Sequence, residues 1–233
     1  MKIRLTFTIL IAIAVICLAS HIKEQQNVGW TSLFDGKTLK GWHAYNKSGE
    51  IKNWVAKDGV LECIETPYED VTGDIVTDKE YENFELMWDW RIGKGSNSGV
   101  MYHVVEDAKY PYTFLTGPEY QLIDETGWPG TLEPWQKAGA DYAMHLPDDK
   151  KQLKPAGEWN TSRIVFNKGH VEHWLNAEKI LQFDAWTSEW IKKKTEGKWK
   201  DVPDYGSAKK GRIALQAHGG KVAFRNIMIK ELK

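Results

Sequence analysis

The run FELMWDWRI (84–92) alternates without a break, with Phe84, Leu86, Trp88, Trp90 and Ile92 on one face and Glu85, Met87, Asp89 and Arg91 on the other. Such a pattern is a strand buried on one side and polar on the other. The same reading of EYQLID (119–124) turns Tyr120 and Leu122 inward. Glu119 and Gln121 then face outward, on the surface expected to carry Asp89 and Arg91. A solvated sheet face usually scatters Lys, Thr and Ser. These rows instead gather acid, guanidinium and amide groups beside Trp and Tyr, as a floor for binding a polyol would.

Short runs rich in aromatic and β-branched residues recur along the chain, at 53–56, 60–64, 84–92, 99–105, 119–123, 160–167, 171–175, 211–217 and 221–229. Turn signals stand between them: Lys57-Asp58-Gly59, Asn167-Lys168-Gly169, Asn176-Ala177-Glu178 and His218-Gly219-Gly220, each expected to close an antiparallel hairpin. Gly93-Lys94-Gly95-Ser96-Asn97-Ser98-Gly99 reads as one more hairpin loop, or as a glycine-rich approach that lets Asn97 and Ser98 touch a ligand. Helical periodicity is confined to 186–194, with Trp190 and Ile191 as its buried edge. The pattern predicts an all-β chain: a two-sheet antiparallel sandwich of jelly-roll type, one domain over 21–233.

The first twenty residues are expected to be a signal peptide, with Lys2 and Arg4 ahead of an apolar run from Leu5 to Leu18 that is short for a membrane span. Export to the periplasm follows. Cys17 offers a competing lipid anchor, which the Ala14-Val15-Ile16 preceding it disfavours. Cleavage leaves Cys63 alone in an apolar run, where it reads as inert packing. The formal net charge of -1, with acids and bases interspersed, gives no footprint for nucleic acid. Nothing in the chain sets an oligomeric state. The 12 tryptophans serve cores and sugar-stacking platforms alike, and no more than a third are expected in a site.

Ordinary glycoside hydrolysis needs two carboxyl groups roughly 5–10 Å apart. Glu85 and Asp89 share a face but lie about 13 Å apart along a strand, which leaves Glu119 opposite Asp89 as the candidate couple. His218, at a strand end beside Gln216 and expected to share a face with Arg225, is the second proton-transfer candidate after Glu119. Residues 125–157 break the strand pattern with repeated Pro and Gly. They read either as a wall that supplies Trp128, Trp135, Tyr142 and His145 to the site, or as a cover for a sheet edge. No cofactor motif is present. His170 and His173 read as one solvated and one inward ring, and a metal ion held by residues distant in the chain is left open.

The segments LFDGKTLKGWHAY (33–45), GDIVTDKEYENFELMWDWRI (73–92), NSGVMYHV (97–104), TGPEYQLID (116–124), GEWNTSRIV (157–165), HWLNAEKI (173–180) and GRIALQAHGGKVAFRNIMIK (211–230) together resemble the 3-keto-disaccharide hydrolase family. The resemblance implies a concanavalin-like or glucanase-like jelly roll, exported, acting on oxidised mono- or disaccharide glycosides that carry a ketone at C3. It also implies a mechanism with one base, Glu119 or His218, which removes the C2 proton before the C1 substituent is eliminated and water adds. Arg91 would then stand near the oxyanion, and Asp89, Asn97, Ser98, Gln121, Tyr142, Asn160, Gln216 and Arg225 would bind the sugar. Asp141, in AGADYAMHLP, departs from a more apolar family pattern and is expected to alter which aglycone or ring substituent is accepted. The alternative is a non-catalytic carbohydrate-binding module that uses the same face.

Overall fold

The computed structural model describes residues 29–66 and 73–233, so the apolar leader and Cys17 lie outside the described residues. Thirteen strands follow in order: β1 (Thr31–Ser32), β2 (Trp42–Ala44), β3 (Trp54–Lys57), β4 (Val60–Thr66), β5 (Ile75–Thr77), β6 (Phe84–Ile92), β7 (Asn97–Val104), β8 (Glu119–Ile123), β9 (Asn160–Asn167), β10 (His170–Leu175), β11 (Glu178–Asp184), β12 (Arg212–Leu215) and β13 (Gly220–Glu231). Among the described residues one α-helix, α1 (Ser188–Glu196), accompanies them, with short 3-10 turns at Thr113–Leu115 and Pro134–Gln136. The strands form two antiparallel sheets, one in the order β11-β10-β9-β6-β13-β4-β3 and the other β2-β5-β12-β7-β8. This is an all-β jelly-roll sandwich. Residues 32–233 make one compact unit, and among the described residues no helix is long and apolar enough to cross a membrane.

The inward row of β6 packs as its alternation requires, with Phe84, Leu86, Trp88, Trp90 and Ile92 all at most 3% exposed. They meet Tyr120 and Leu122 of β8 and Ile213, Leu215 and Phe224 in one core. Burial of such large side chains is the main stabilising term of the sandwich. Cys63 is part of that core, and His173 is fully buried while His170 stays half-exposed.

Three of the four turn signals close hairpins. Asp58-Gly59, Lys168-Gly169 and Asn176-Ala177 supply the positive φ that such turns need, and β3 pairs with β4, β9 with β10 and β10 with β11. The fourth signal, and the glycine-rich run after β6, do something else. β6 and β7 are consecutive yet belong to different sheets, and so do β12 and β13. Residues 93–96 and 216–219 are therefore corners by which the chain passes from one sheet to the other. The two corners are stitched together: Gly93 N donates to Lys221 O (2.8 Å), Lys221 N to Ser96 Oγ (3.0 Å) and Asn97 N to Gly219 O (3.4 Å).

The helix differs by a shift of phase from its sequence reading. Thr187 caps it by accepting from Trp190 N (3.2 Å), and Trp190 is buried, but Ile191 is 49% exposed. With the helix starting at Ser188, the buried edge falls on Trp190 and Lys194 four residues later. The Lys194 ammonium donates to Pro203 O (2.6 Å) and Ser207 Oγ (3.2 Å).

Candidate active site

The stitched corners decide which polar residues meet. On the β7, β8 and β12 side, Asn97, Glu119, Gln121, Gln216 and His218 converge on a cavity of about 190 Å³. It opens on the face of the five-stranded sheet turned away from the core, since Glu119 and Gln121 alternate with the core residues Tyr120 and Leu122. Tyr142 reaches the same cavity because residues 139–142 run along β8: Gly139 N donates to Gln121 O (2.8 Å), Gln121 N to Ala140 O (3.1 Å) and Tyr142 N to Glu119 O (3.0 Å). Trp128 also lines it. Trp135 packs behind, its ring 5.2 Å from that of Tyr142. The irregular segment is thus a wall of the site.

On the other side of the corners lie the residues that do not join. Arg91 and Asp89 are on β6 and Arg225 is on β13, in the other sheet. Arg225 Nε donates to Asp89 Oδ2 (3.1 Å), and both guanidinium groups stack on Trp159, at 4.9 Å for Arg91 and 4.1 Å for Arg225. None of the three lines the cavity. The Glu119–Asp89 couple does not form either, because β8 pairs with β7 whereas β6 pairs with β9 and β13. Alternation assigns a residue to a face, and it is silent on which sheet the face belongs to.

Two further expected ligands are structural. Ser98 is buried and donates to Gln216 O (2.7 Å), so it steadies the backbone beneath the site. Asn160 is buried where it accepts from Lys154 N (2.9 Å) and Asn176 Nδ2 (2.8 Å). Asp141 is not among the residues that line the cavity. It is 1% exposed, opposite Tyr120 in register, and its Oδ2 lies 2.8 Å from His145 Nδ1.

Three of the residues that line the cavity, Asn97, Gln121 and Gln216, carry amide side chains whose oxygens are buried in its walls without a hydrogen-bond partner. Buried polar atoms are rarely left so, and three of them around one cavity ask for a ligand rich in hydroxyl donors. Glu119 is the sole carboxyl among the lining residues. Burial, reinforced by the Asp74 carboxylate, pushes its carboxyl up to about 8, against an opposing pull from Lys198. His218 moves the other way. Burial, and then the Lys198 charge, hold its imidazole below the usual histidine value. At neutral pH the cavity therefore holds a protonated acid and a neutral base, the separation that assigns such roles.

Sequence reasoning missed Lys198. It lines the cavity as the one cation there, its Nζ donating to Tyr142 Oη (2.9 Å) and lying 4.2 Å from the Tyr142 ring centroid, 5.3 Å from Trp135 and 5.5 Å from Trp199. In IKKKTEGKWK nothing separates it from lysines of a solvated surface. Trp199, its neighbour, was missed for the same reason, and so was Phe114 on the loop before β8. Of the 12 tryptophans only Trp128 and Trp199 line the cavity. Among the described residues no group of three or more His, Cys, Asp or Glu is placed to hold a metal ion.

Fold and cavity define the class: a two-sheet jelly roll with a polar, partly aromatic cavity built on the outer face of one sheet. Within that class, residues 29–230 match the model of the 3-keto-alpha-glucoside-1,2-lyase-like domain, and the chain belongs to that family. A 3-keto-disaccharide hydrolase of Bacteroides thetaiotaomicron is 32% identical in an alignment 230 positions long that spans 88% of this chain and 79% of that protein. A crystal structure from Parabacteroides distasonis, of a protein provisionally assigned as a glycosyl hydrolase, is 45% identical with a TM-score of 0.83, covering 90% of this chain and 97% of that one. The carbohydrate-binding module CBM66 of Bacillus subtilis is 10% identical with a TM-score of 0.51, covering 82% of this chain and 96% of that one, a likeness of fold alone.

Proposed function

We propose that the protein cleaves the glycosidic bond of glycosides whose sugar carries a ketone at C3. The observation that carries this reading is the single carboxyl in a cavity of unpartnered amide oxygens. A glycosidase acting on unoxidised sugars needs a second carboxyl across the bond, whereas a C3 ketone acidifies the C2 proton so that one base suffices. A binding module would need the amides and rings but not a buried acid. The family membership and the hydrolase relative agree with the first reading.

In this mechanism the neutral His218 imidazole takes the C2 proton and an enolate forms. Lys198 supplies the positive charge beside it, the part the sequence assigned to Arg91. Electrons then return from the enolate to expel the C1 substituent, whose oxygen takes the proton held by Glu119. Water adds to the resulting enone. The side-chain amides of Asn97, Gln121 and Gln216 hydrogen-bond the ring hydroxyls and fix its face.

The test is to incubate the protein with a 3-keto-glycoside and with its unoxidised parent while following aglycone release, and to run the first reaction in D2O. Release from the keto substrate alone, with deuterium entering at C2, is expected. Release from the parent alone would make it an ordinary glycosidase, and binding without release from either would make it a lectin.

A further inference from the structure

The cavity is chemically two-sided, and the division falls between its floor and its rim. The floor comes from strands and corners and holds the three unpartnered amide oxygens of Asn97, Gln121 and Gln216. The rim comes from three connections: the one before β8 contributes Phe114, the one after β8 contributes Trp128 and Tyr142, and the one after α1 contributes Trp199. Several polar atoms on the rim are engaged within the protein. Tyr142 Oη accepts from Lys198 Nζ (2.9 Å), Trp199 Nε1 donates to Tyr142 O (3.2 Å) and Gln136 Oε1 accepts from Glu133 N (2.9 Å).

The rings are also held in place. Phe114 stacks on Tyr112 with centroids 5.1 Å apart and planes 8° apart, and it packs on a small second core that includes Met101 and Ala214. Trp199 stacks on the buried Tyr205 at 4.0 Å and 10°. Fixed ring faces bind a flat apolar group without an ordering penalty. A second sugar in that place would have its hydroxyls stripped of water along the ring faces, with Lys198 and the Gln136 amide nitrogen as the polar groups nearest to them.

We propose that the leaving group accommodated by this rim is aromatic, so that the preferred substrates are 3-keto aryl glycosides, whose aglycone departs as a phenol. This rests on the glycoside-cleaving reading above and assigns the aglycone that reading leaves open. The keto sugar occupies the amide floor, and the C1–O bond points to the rim. As His218 removes the C2 proton, the C1–O bond breaks with its electron pair going to the aryl oxygen. That oxygen takes the proton from Glu119 and leaves as the phenol. The sugar remains as the enone, and Glu119, now ionised, recovers a proton as water adds.

The experiment compares kcat/KM for three 3-keto-glucosides of one anomer, bearing phenol, methanol or a second glucose at C1. Each value is divided by the rate of the uncatalysed base-promoted elimination, which removes the intrinsic advantage of a phenol as leaving group. The phenyl glycoside is expected to exceed the disaccharide at least tenfold after that correction. Trp128→Ala should collapse the advantage, lowering the phenyl-to-methyl ratio of kcat/KM at least fivefold, and Phe114→Leu, which keeps bulk without a ring, serves the same purpose where Trp128→Ala fails to fold; a ratio unchanged in both folded variants would overturn the aromatic assignment. Equal or better turnover of the disaccharide would overturn the aromatic assignment and leave the elimination reading standing. Turnover of none of the three would remove the elimination reading itself.

Discussion

The Glu119 carboxyl lies over Gly99 of the neighbouring strand, so closely that a Cβ built at residue 99 would stand 2.1 Å from Oε1 and 2.7 Å from Cδ. The absence of a side chain there is what gives the acid its place. Gly99 also fixes the far side of the floor, because its carbonyl accepts from Gln216 N (3.0 Å). Gly99→Ala should displace the acid, since the nearest atoms a Cβ would meet are Oε1, Cδ and Cγ of Glu119, and should lower kcat/KM by about 10- to 100-fold. Steady-state kinetics beside a thermal melt checks this, and an unchanged kcat/KM would mean that the position of Glu119 is immaterial.

Glu119→Gln tests the buried acid through stability. Because the folded-state value is raised to about 8 from an ordinary 4.5, the unfolded chain ionises first as pH rises. The stability associated with the protonated form is full below about 4.5 and is lost as pH climbs to about 8. The glutamine variant escapes that loss. It should match the parent near pH 4 and exceed it above pH 8 by on the order of a few kcal/mol, while its turnover falls by two or more orders of magnitude. Melting curves over this range that stay parallel would place Glu119 in a wetter setting.

The pH-rate profile should be bell-shaped. Its lower limb reports His218, displaced below the usual histidine range by burial and by Lys198, and its upper limb, near 8, reports loss of the Glu119 proton. His218→Ala should cost two or more orders of magnitude in turnover. A rate that climbs through pH 8 to a plateau would make the Glu119 carboxylate the base instead.

Lys198→Met carries a distinct sign. The lysine charge lowers both groups, so its removal should move both limbs of the profile to higher pH and also reduce kcat by about 10- to 100-fold, as loss of a charge-stabilising group does. A merely structural lysine would lower the rate without shifting either limb.

Alternation placed Tyr120 and Leu122 in the core and Glu119 and Gln121 outside it, and the hairpins at Asp58-Gly59, Lys168-Gly169 and Asn176-Ala177 were visible as turn chemistry. The corners were not. Glycine at 93, 95, 219 and 220 announces a change of direction, but whether the next strand pairs with the last one or crosses to another sheet is settled by tertiary packing. That single ambiguity placed Arg91, Asp89 and Arg225 in the site on paper. Lys198 was hidden for a different reason: its role comes from Trp135 and Tyr142, two rings that a distant segment brings against it beside its own neighbour Trp199, a context no local pattern encodes.

The two arginines give the last test, which separates the sheets functionally. Arg91 is held over Trp159, and Arg225 over the same ring while bonded to Asp89, whose carboxylate also accepts from Thr161 Oγ1 (2.7 Å) and Asn226 Nδ2 (2.8 Å). With these neighbours remaining, Asp89 keeps partners when Arg225 is removed. Arg91→Ala and Arg225→Ala should therefore lower stability by about 1 kcal/mol or less, the range of exposed cation–π and ion-pair contacts, and leave kcat/KM within threefold of the parent. Both follow from thermal melts and steady-state rates on a keto substrate. A tenfold loss of kcat/KM in either folded variant would return the chemistry to the larger sheet, and with it the carboxylate of Asp89 as a partner for Glu119.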